Sequence, residues 1–233
     1  MSGRYDRAAM LCGVSATSFT RSGPTRQGLV LVVAMAVLMW VVEVIDAIAG
    51  GRLDRLGIEP RETDGLVGVV AAPFLHGGFG HLIGNTVPFL VLGAVIALGG
   101  AARVLSVTVL VALIGGLGTW LLAPSGTTHI GASGLVFGFA AYLAARGLFS
   151  RSIAQIAIGL VVLAVWGTTL LQGLVPTDGV SWQGHLFGAV GGVVAARALH
   201  RRRSGGDGLQ AAALDRDHLG RHRQAGQDLG LGR

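Results

Sequence analysis

The chain has 233 residues, of which 52% are hydrophobic and 13% charged, with a formal net charge of +6 and a mean hydropathy of +0.64. A soluble domain carries about 25% charged residues, so the composition excludes an ordinary water-soluble globular fold and indicates a polytopic membrane protein. The single cysteine, Cys12, excludes a disulfide framework within the chain. The high isoelectric point comes mainly from arginines at the two ends, so no nucleic-acid face is expected.

The first stretch, 1–27, is an Arg-bearing leader containing Pro24, expected to be flexible and cytoplasmic. A spanning helix needs about 20 mostly apolar residues. Segments at 28–48, 81–99, 104–122, 132–149, 153–174 and 183–199 meet that need, giving a six-span, all-α membrane domain over 28–200. Continuous apolar spans of this length exclude a transmembrane β-barrel, whose strands alternate. Glu43 and Asp46 fall late in the first span, where they are expected to snorkel or to contact the following loop. The tail, 201–233, is rich in Gly, Gln and Arg, lacks apolar periodicity and is expected to be disordered. Between Gly65 and Asp178 the only charged residues are Arg103, Arg146 and Arg151. With six spans these arginines, those of the leader, Arg197 and Arg201 to Arg203 all face one side. The positive-inside rule makes that side, and both termini, cytoplasmic.

Polar side chains at membrane depth are costly and tend to be functional. Here they are His81, Asn85, Ser133 and His185. At about 1.5 Å per residue, Asn85, Ser133 and His185 each rise roughly 18–21 Å above the cytoplasmic boundary, so they share one depth. His81 lies one turn from Asn85, on the same helix face. Gly134 and Gly138 on one span, and Gly184, Gly188 and Gly192 on another, let two backbones approach closely in lipid. The four groups can therefore meet in a pocket open to the extracytoplasmic side.

A serine hydroxyl needs a base within hydrogen-bond reach. No carboxylate lies at this depth, so a hydrolase built here would use a Ser133–His185 dyad, with Phe137 able to hold the imidazole by stacking. His81, Asn85 and the Ser133 backbone N–H can serve as oxyanion donors, and Gly131 leaves room for a substrate backbone. Taken singly these residues have plainer readings. Serine can bond its own helix backbone, histidine can pack, and asparagine can join helices. A channel or transporter would use the same groups as a polar path, but it needs further polar groups toward the cytoplasm, and those half-spans are almost wholly apolar.

Three stretches carry a resemblance: FLHGGFGHLIGN at 74–85, GASG at 131–134 and GHLFGAVGG at 184–192. In this order, on six spans, they resemble the rhomboid family of intramembrane serine proteases over roughly 70–200. The resemblance implies a six-helix rhomboid-like bundle. It implies Ser133 as nucleophile, His185 as general base, His81 and Asn85 as oxyanion donors, Gly131 as the first glycine of the motif and a structural role for His76. It further implies membrane-anchored proteins, single-span or other, as substrates, cut in or near their transmembrane segments, and no metal or cofactor. A non-catalytic, client-binding relative is the alternative. The chain departs from many relatives in two places: the first loop reads ETDGLVGVVAAPF without an aromatic–Arg pair, and Phe137 stands where many bacterial members have Tyr.

Overall fold

The structure, a computed structural model, describes residues 23–200. The expectations of a flexible leader and a disordered tail, and Cys12, fall on 1–22 and 201–233 and so lie outside the described residues. Helix α1, Pro24–Ala49, starts four residues before the predicted span because Pro24 sits in its first turn, where its missing N–H costs nothing. A loop with short 3-10 turns at Leu53–Leu56, Asp64–Val67 and Ala72–Phe74, and the one-turn helix α2, Gly68–Ala71, leads to α3, Phe79–Ala97. Helices α4, Ala101–Leu122, α5, Ser133–Ser150, and α6, Ile153–Gly173, follow. A last helix, α7, occupies 182–200. Helices α1, α3, α4, α5 and α6 are long and apolar enough to cross a membrane. The fold is an all-α, multi-pass membrane bundle.

Helix α5 is the centre. It packs against α3, α4 and α6, and its Phe139 stacks on Phe89 of α3 with ring centroids 5.5 Å apart. Leu82, Phe89, Leu92 and Ile96 of α3, Val104 and Val107 of α4, and Phe139 and Tyr142 of α5 are wholly buried. Helix α1 buries a single stripe, Gly28, Val32, Ala36, Met39, Glu43 and Asp46, at three- and four-residue spacing. Leu31 and Met35 pack partly buried against the core beside it, and most of its other apolar side chains face outward, as a helix in lipid allows. Helix α6 is peripheral and buries only Gly159 and Val162.

Helices α5 and α7 meet backbone to backbone. A Cβ on Gly188 would collide with the Gly134 carbonyl, and one on Gly192 with the Gly138 carbonyl. A Cβ on Gly115 of α4 would stand 3.4 Å from the Gly188 backbone, so α7 lies close against two helices at once. This is the small-residue packing expected in lipid, where dispersion between close backbones holds helices together.

The loop-rich end of the bundle holds the 50–78 segment. Snorkelling is not what Glu43 and Asp46 do: they are 3% and 5% exposed. Asp46 Oδ1 accepts a hydrogen bond from the Leu53 N–H at 2.6 Å, which turns the chain back onto α1. Glu43 accepts one from the Gly78 N–H. Burial, and then the neighbouring Asp46 carboxylate, raise the Asp54 carboxyl above its usual range. Arg61, in the left-handed region at φ 65°, donates to Ser125 Oγ and to the Leu121 carbonyl. Trp120 Nε1 donates to the Glu62 carbonyl at 2.8 Å. An aromatic and an arginine thus do anchor this loop, but they come from two different segments. Ile58 and His129 exchange backbone hydrogen bonds at 2.9 and 3.0 Å, tying the loop to the approach to α5.

Candidate active site

Ser133 is the first residue of α5, and the backbone before it is sharply bent. Gly131 has φ +116°, a region that L side chains rarely adopt, and its N–H donates to the Ala72 carbonyl at 2.9 Å. The Ala132 N–H donates to His76 Nε2 at 3.3 Å. That bond requires an unprotonated Nε2. His76 is 1% exposed, and burial together with the neighbouring His81 lowers its pKa to about 4. His76 therefore pins the start of α5 as a neutral imidazole, the structural role that the sequence motif implied. Its ring meets the His81 ring edge-on at 5.1 Å.

His185 lies in the first turn of α7. Its Nδ1 is 2.7 Å from the Gly173 carbonyl and its Nε2 is 2.8 Å from Ser133 Oγ. A carbonyl only accepts, so Nδ1 carries the proton and Nε2 is left to accept from the Ser133 hydroxyl. The Phe137 ring lies flat against the imidazole, with centroids 4.1 Å apart and planes 6° from parallel. Gly173 at the end of α6 has to be small. A Cβ there would stand 2.5 Å from Phe137 Cζ and 3.0 Å from His185 Nδ1.

Asn85 and His81 stand one turn apart on α3, over Gly131. A Cβ on Gly131 would be 2.7 Å from His81 Nε2 and 3.6 Å from Asn85 Nδ2. The Asn85 side chain is 7% exposed, and its Nδ2 has no protein partner. A buried amide without a partner costs about 1–3 kcal/mol, a cost that makes sense for a donor held ready for a ligand. The Ser133 N–H, at the helix start, likewise has no acceptor within the helix. A cavity of about 50 Å³ opens beside Ser133, lined in part by Ala72, Thr119, His129, Gly131, Ser181 and Gly184.

The structure thus brings together Ser133, His185, His81, Asn85, Gly131 and Phe137. Among the described residues no cluster of three or more His, Cys, Asp or Glu side chains could hold a metal ion. Two further groups at the site escape sequence reasoning. The Gly173 carbonyl is a backbone atom and leaves no side-chain signal beyond a glycine at a helix end. The His129 imidazole sits four residues before Ser133, in a loop, where membrane depth gives no reason to single it out.

The profile of the Rhomboid domain matches residues 63–202. The chain belongs to the rhomboid family. This rhomboid is 50% identical over 177 residues to the uncharacterized protein Rv1337 of Mycobacterium tuberculosis, covering 72% of the chain and 73% of that protein. It is 43% identical over 201 residues to the uncharacterized protein ML1171 of Mycobacterium leprae, covering 82% and 79%. It is also 30% identical over 119 residues to YdcA of Bacillus subtilis, named provisionally as a rhomboid protease, covering 51% and 59%. The matched region of the rhomboid contains the 74–85, 131–134 and 184–192 stretches.

Proposed function

We propose that this rhomboid is an intramembrane serine endopeptidase that cleaves membrane-anchored proteins in or near their transmembrane segments. The observation that carries the reading is the 2.8 Å contact between Ser133 Oγ and a His185 Nε2 whose tautomer is set by the Gly173 carbonyl. His185 takes the hydroxyl proton as Ser133 attacks the scissile carbonyl, then gives it to the leaving amine. A carbonyl replaces the usual carboxylate behind the imidazole. It accepts from the imidazolium that forms, and a hydrogen bond to a charged group contributes about 1.5–3 kcal/mol. The unpartnered Asn85 Nδ2, His81 and the Ser133 N–H supply donors for the tetrahedral oxyanion. Water then hydrolyses the acyl-enzyme by the same base.

A substrate helix must unwind locally to expose its carbonyl, because helical carbonyls are occupied by their own hydrogen bonds. Arg26, Arg103, Arg146, Arg151 and Arg197 lie at the end of the bundle opposite Ser133, against Arg52, Arg55 and Arg61 in the loop at the Ser133 end, where the described carboxylates also gather. That asymmetry supports cytoplasmic termini and a site open to the extracytoplasmic side.

The test uses purified protein and a fluorophosphonate probe, with wild type beside Ser133→Ala and His185→Ala, and the same proteins mixed with a single-span substrate. Labelling and cleavage in wild type alone are expected. Cleavage persisting in Ser133→Ala removes the mechanism. A wild type that neither labels nor cuts, but retains a membrane client, puts the client-binding reading ahead.

A further inference from the structure

Four residues upstream of the Ser133–His185 contact, the same two chain segments make a second Ser–His contact with the roles exchanged. His129 Nδ1 lies 2.7 Å from Ser181 Oγ. Both contacts join residues 52 apart in sequence, so the segments run side by side in a single register. We propose that His129 and Ser181 form a non-reacting Ser–His pair that positions Ser133 against His185. The inference rests on the proposed mechanism, since positioning has a consequence for rate only if Ser133 reacts.

The hydrogen-bond directions around His129 are fully determined. Thr127 Oγ1 spends its proton on the Pro124 carbonyl at 2.6 Å, so it must accept from His129 Nε2–H at 2.9 Å. His129 Nδ1 is then bare and accepts the Ser181 hydroxyl proton. Ser181 Oγ in turn accepts from the Gly184 N–H at 3.3 Å, as a helix N-cap does, and the Ser181 carbonyl accepts the His185 N–H at 3.1 Å. The chain of donors runs unbroken from the first turn of α7, which carries His185, to the loop that delivers Ser133. The main chain of His129 is paired with Ile58 through both its N–H and its carbonyl, so the ring is mounted on a fixed strut. Burial lowers the His129 pKa, which suits the neutral ring this network needs.

This pair does not itself react. Ser181 Oγ is committed to donating to His129 and to capping α7. Its value lies in what it crosslinks. The glycine contacts of α5 and α7 set how close the two helices lie, but bare backbone offers little resistance to sliding along the helix axis. A side-chain bond across the two helix starts supplies that resistance.

The experiment uses full-length protein in detergent and compares wild type with His129→Phe, Ser181→Ala, the double variant and His129→Asn. Phenylalanine keeps a ring without hydrogen bonds; asparagine restores an acceptor at the Nδ1 position. Two readouts are taken beside the melting temperature: fluorophosphonate labelling with substrate cleavage, and the ¹⁵N resonance of His185 Nε2, assigned by its loss in His185→Ala. His129→Phe and Ser181→Ala are each expected to lower kcat and the labelling rate about tenfold with KM within about twofold. The double variant should be no slower than either single one, and His129→Asn should recover to within about threefold. The His185 resonance should shift in the first three and return in His129→Asn. Unchanged labelling and an unchanged resonance in His129→Phe and Ser181→Ala overturn the proposal, as does a loss that follows only the melting temperature and is not rescued by Asn. A wild type that neither labels nor cuts, but whose His185 resonance responds in this pattern, overturns the protease reading and leaves the positioning pair standing.

Discussion

Gly173→Ala is the most incisive single change, because it adds one methyl group where the His185 imidazole, the proposed base, is oriented. The new Cβ would lie 2.5 Å from Phe137 Cζ and 3.0 Å from His185 Nδ1, against an ordinary contact distance of at least 3.4 Å. Gly173 ends α6 with no positive φ, so alanine meets no backbone strain and the effect is purely steric. Something must give by about 1 Å. If the Phe137 ring alone retreats, the loss is its stacking on the imidazole, about 0.5–1.5 kcal/mol, or roughly 2- to 13-fold in rate. If His185 moves, the 2.8 Å contact to Ser133 opens toward the 3.5 Å limit of a hydrogen bond. A reacting pair misplaced by about 1 Å costs up to about 100-fold, near 2.7 kcal/mol. We expect kcat to fall between these bounds, with folding intact. Phe137→Leu in the same protein should recover part of the loss by vacating the space. Gly167→Ala on the same helix meets nothing within 4 Å and should leave activity unchanged. Fluorophosphonate labelling rates and cleavage of a single-span substrate measure all four proteins. A Gly173→Ala protein whose rates fall by less than about twofold, below even the loss of ring stacking, would refute the claim that this carbonyl and ring set the imidazole.

Asn85→Ala should lower kcat about 10²- to 10³-fold, as loss of an oxyanion donor does, while the melting temperature holds or rises because an unpartnered buried amide is removed; a parallel drop in stability would show that the amide is structural. Gly131→Ala should abolish cleavage and destabilise by about 1–3 kcal/mol through its positive φ alone, with the contact to His81 added; near-normal melting would contradict this. The His76 pH dependence has a definite sign. Its pKa falls from 6.5 to about 4 on folding, so the unfolded chain binds the extra proton first. Its contribution is complete above pH 6.5 and is lost as pH falls toward 4, at most about 3 kcal/mol. The melting temperature of wild type should therefore drop more steeply over that window than that of His76→Leu, and equal slopes would count against the assignment.

Much of this was legible from the residues because lipid makes polarity conspicuous. Asn85, Ser133 and His185 stand out in apolar spans, and helical rise alone puts them at one depth. The glycine spacing of α5 and α7 likewise announces close backbones. What stayed hidden lies outside those rules. The Gly173 acceptor is main chain. His129 and Thr127 sit in a loop, where a polar residue is unremarkable. Glu43 and Asp46 were expected to snorkel or to contact the following loop; the loop contact forms, because Leu53 and Gly78 offer them backbone N–H groups, and only the folded loop decides between the two. The Arg61–Trp120 anchoring spans two segments, so no contiguous motif signals it.

The contact between α5 and α7 has a consequence for how the site ages under mutation. Along Gly134, Gly138, Gly188 and Gly192 the spacing of the two helices is gauged by main-chain atoms, with nothing between them that could change rotamer. A side-chain interface can drift, one residue shrinking as its neighbour grows. This one has little such reserve: at Gly188 and Gly192 any step away from glycine inserts a carbon where a carbonyl oxygen of α5 already sits. The approach of α7 to α5, and with it that of His185 to Ser133, thus hangs on a few glycine positions. The lipid-facing surface of the bundle can diverge to suit different membranes while those helix starts keep their separation.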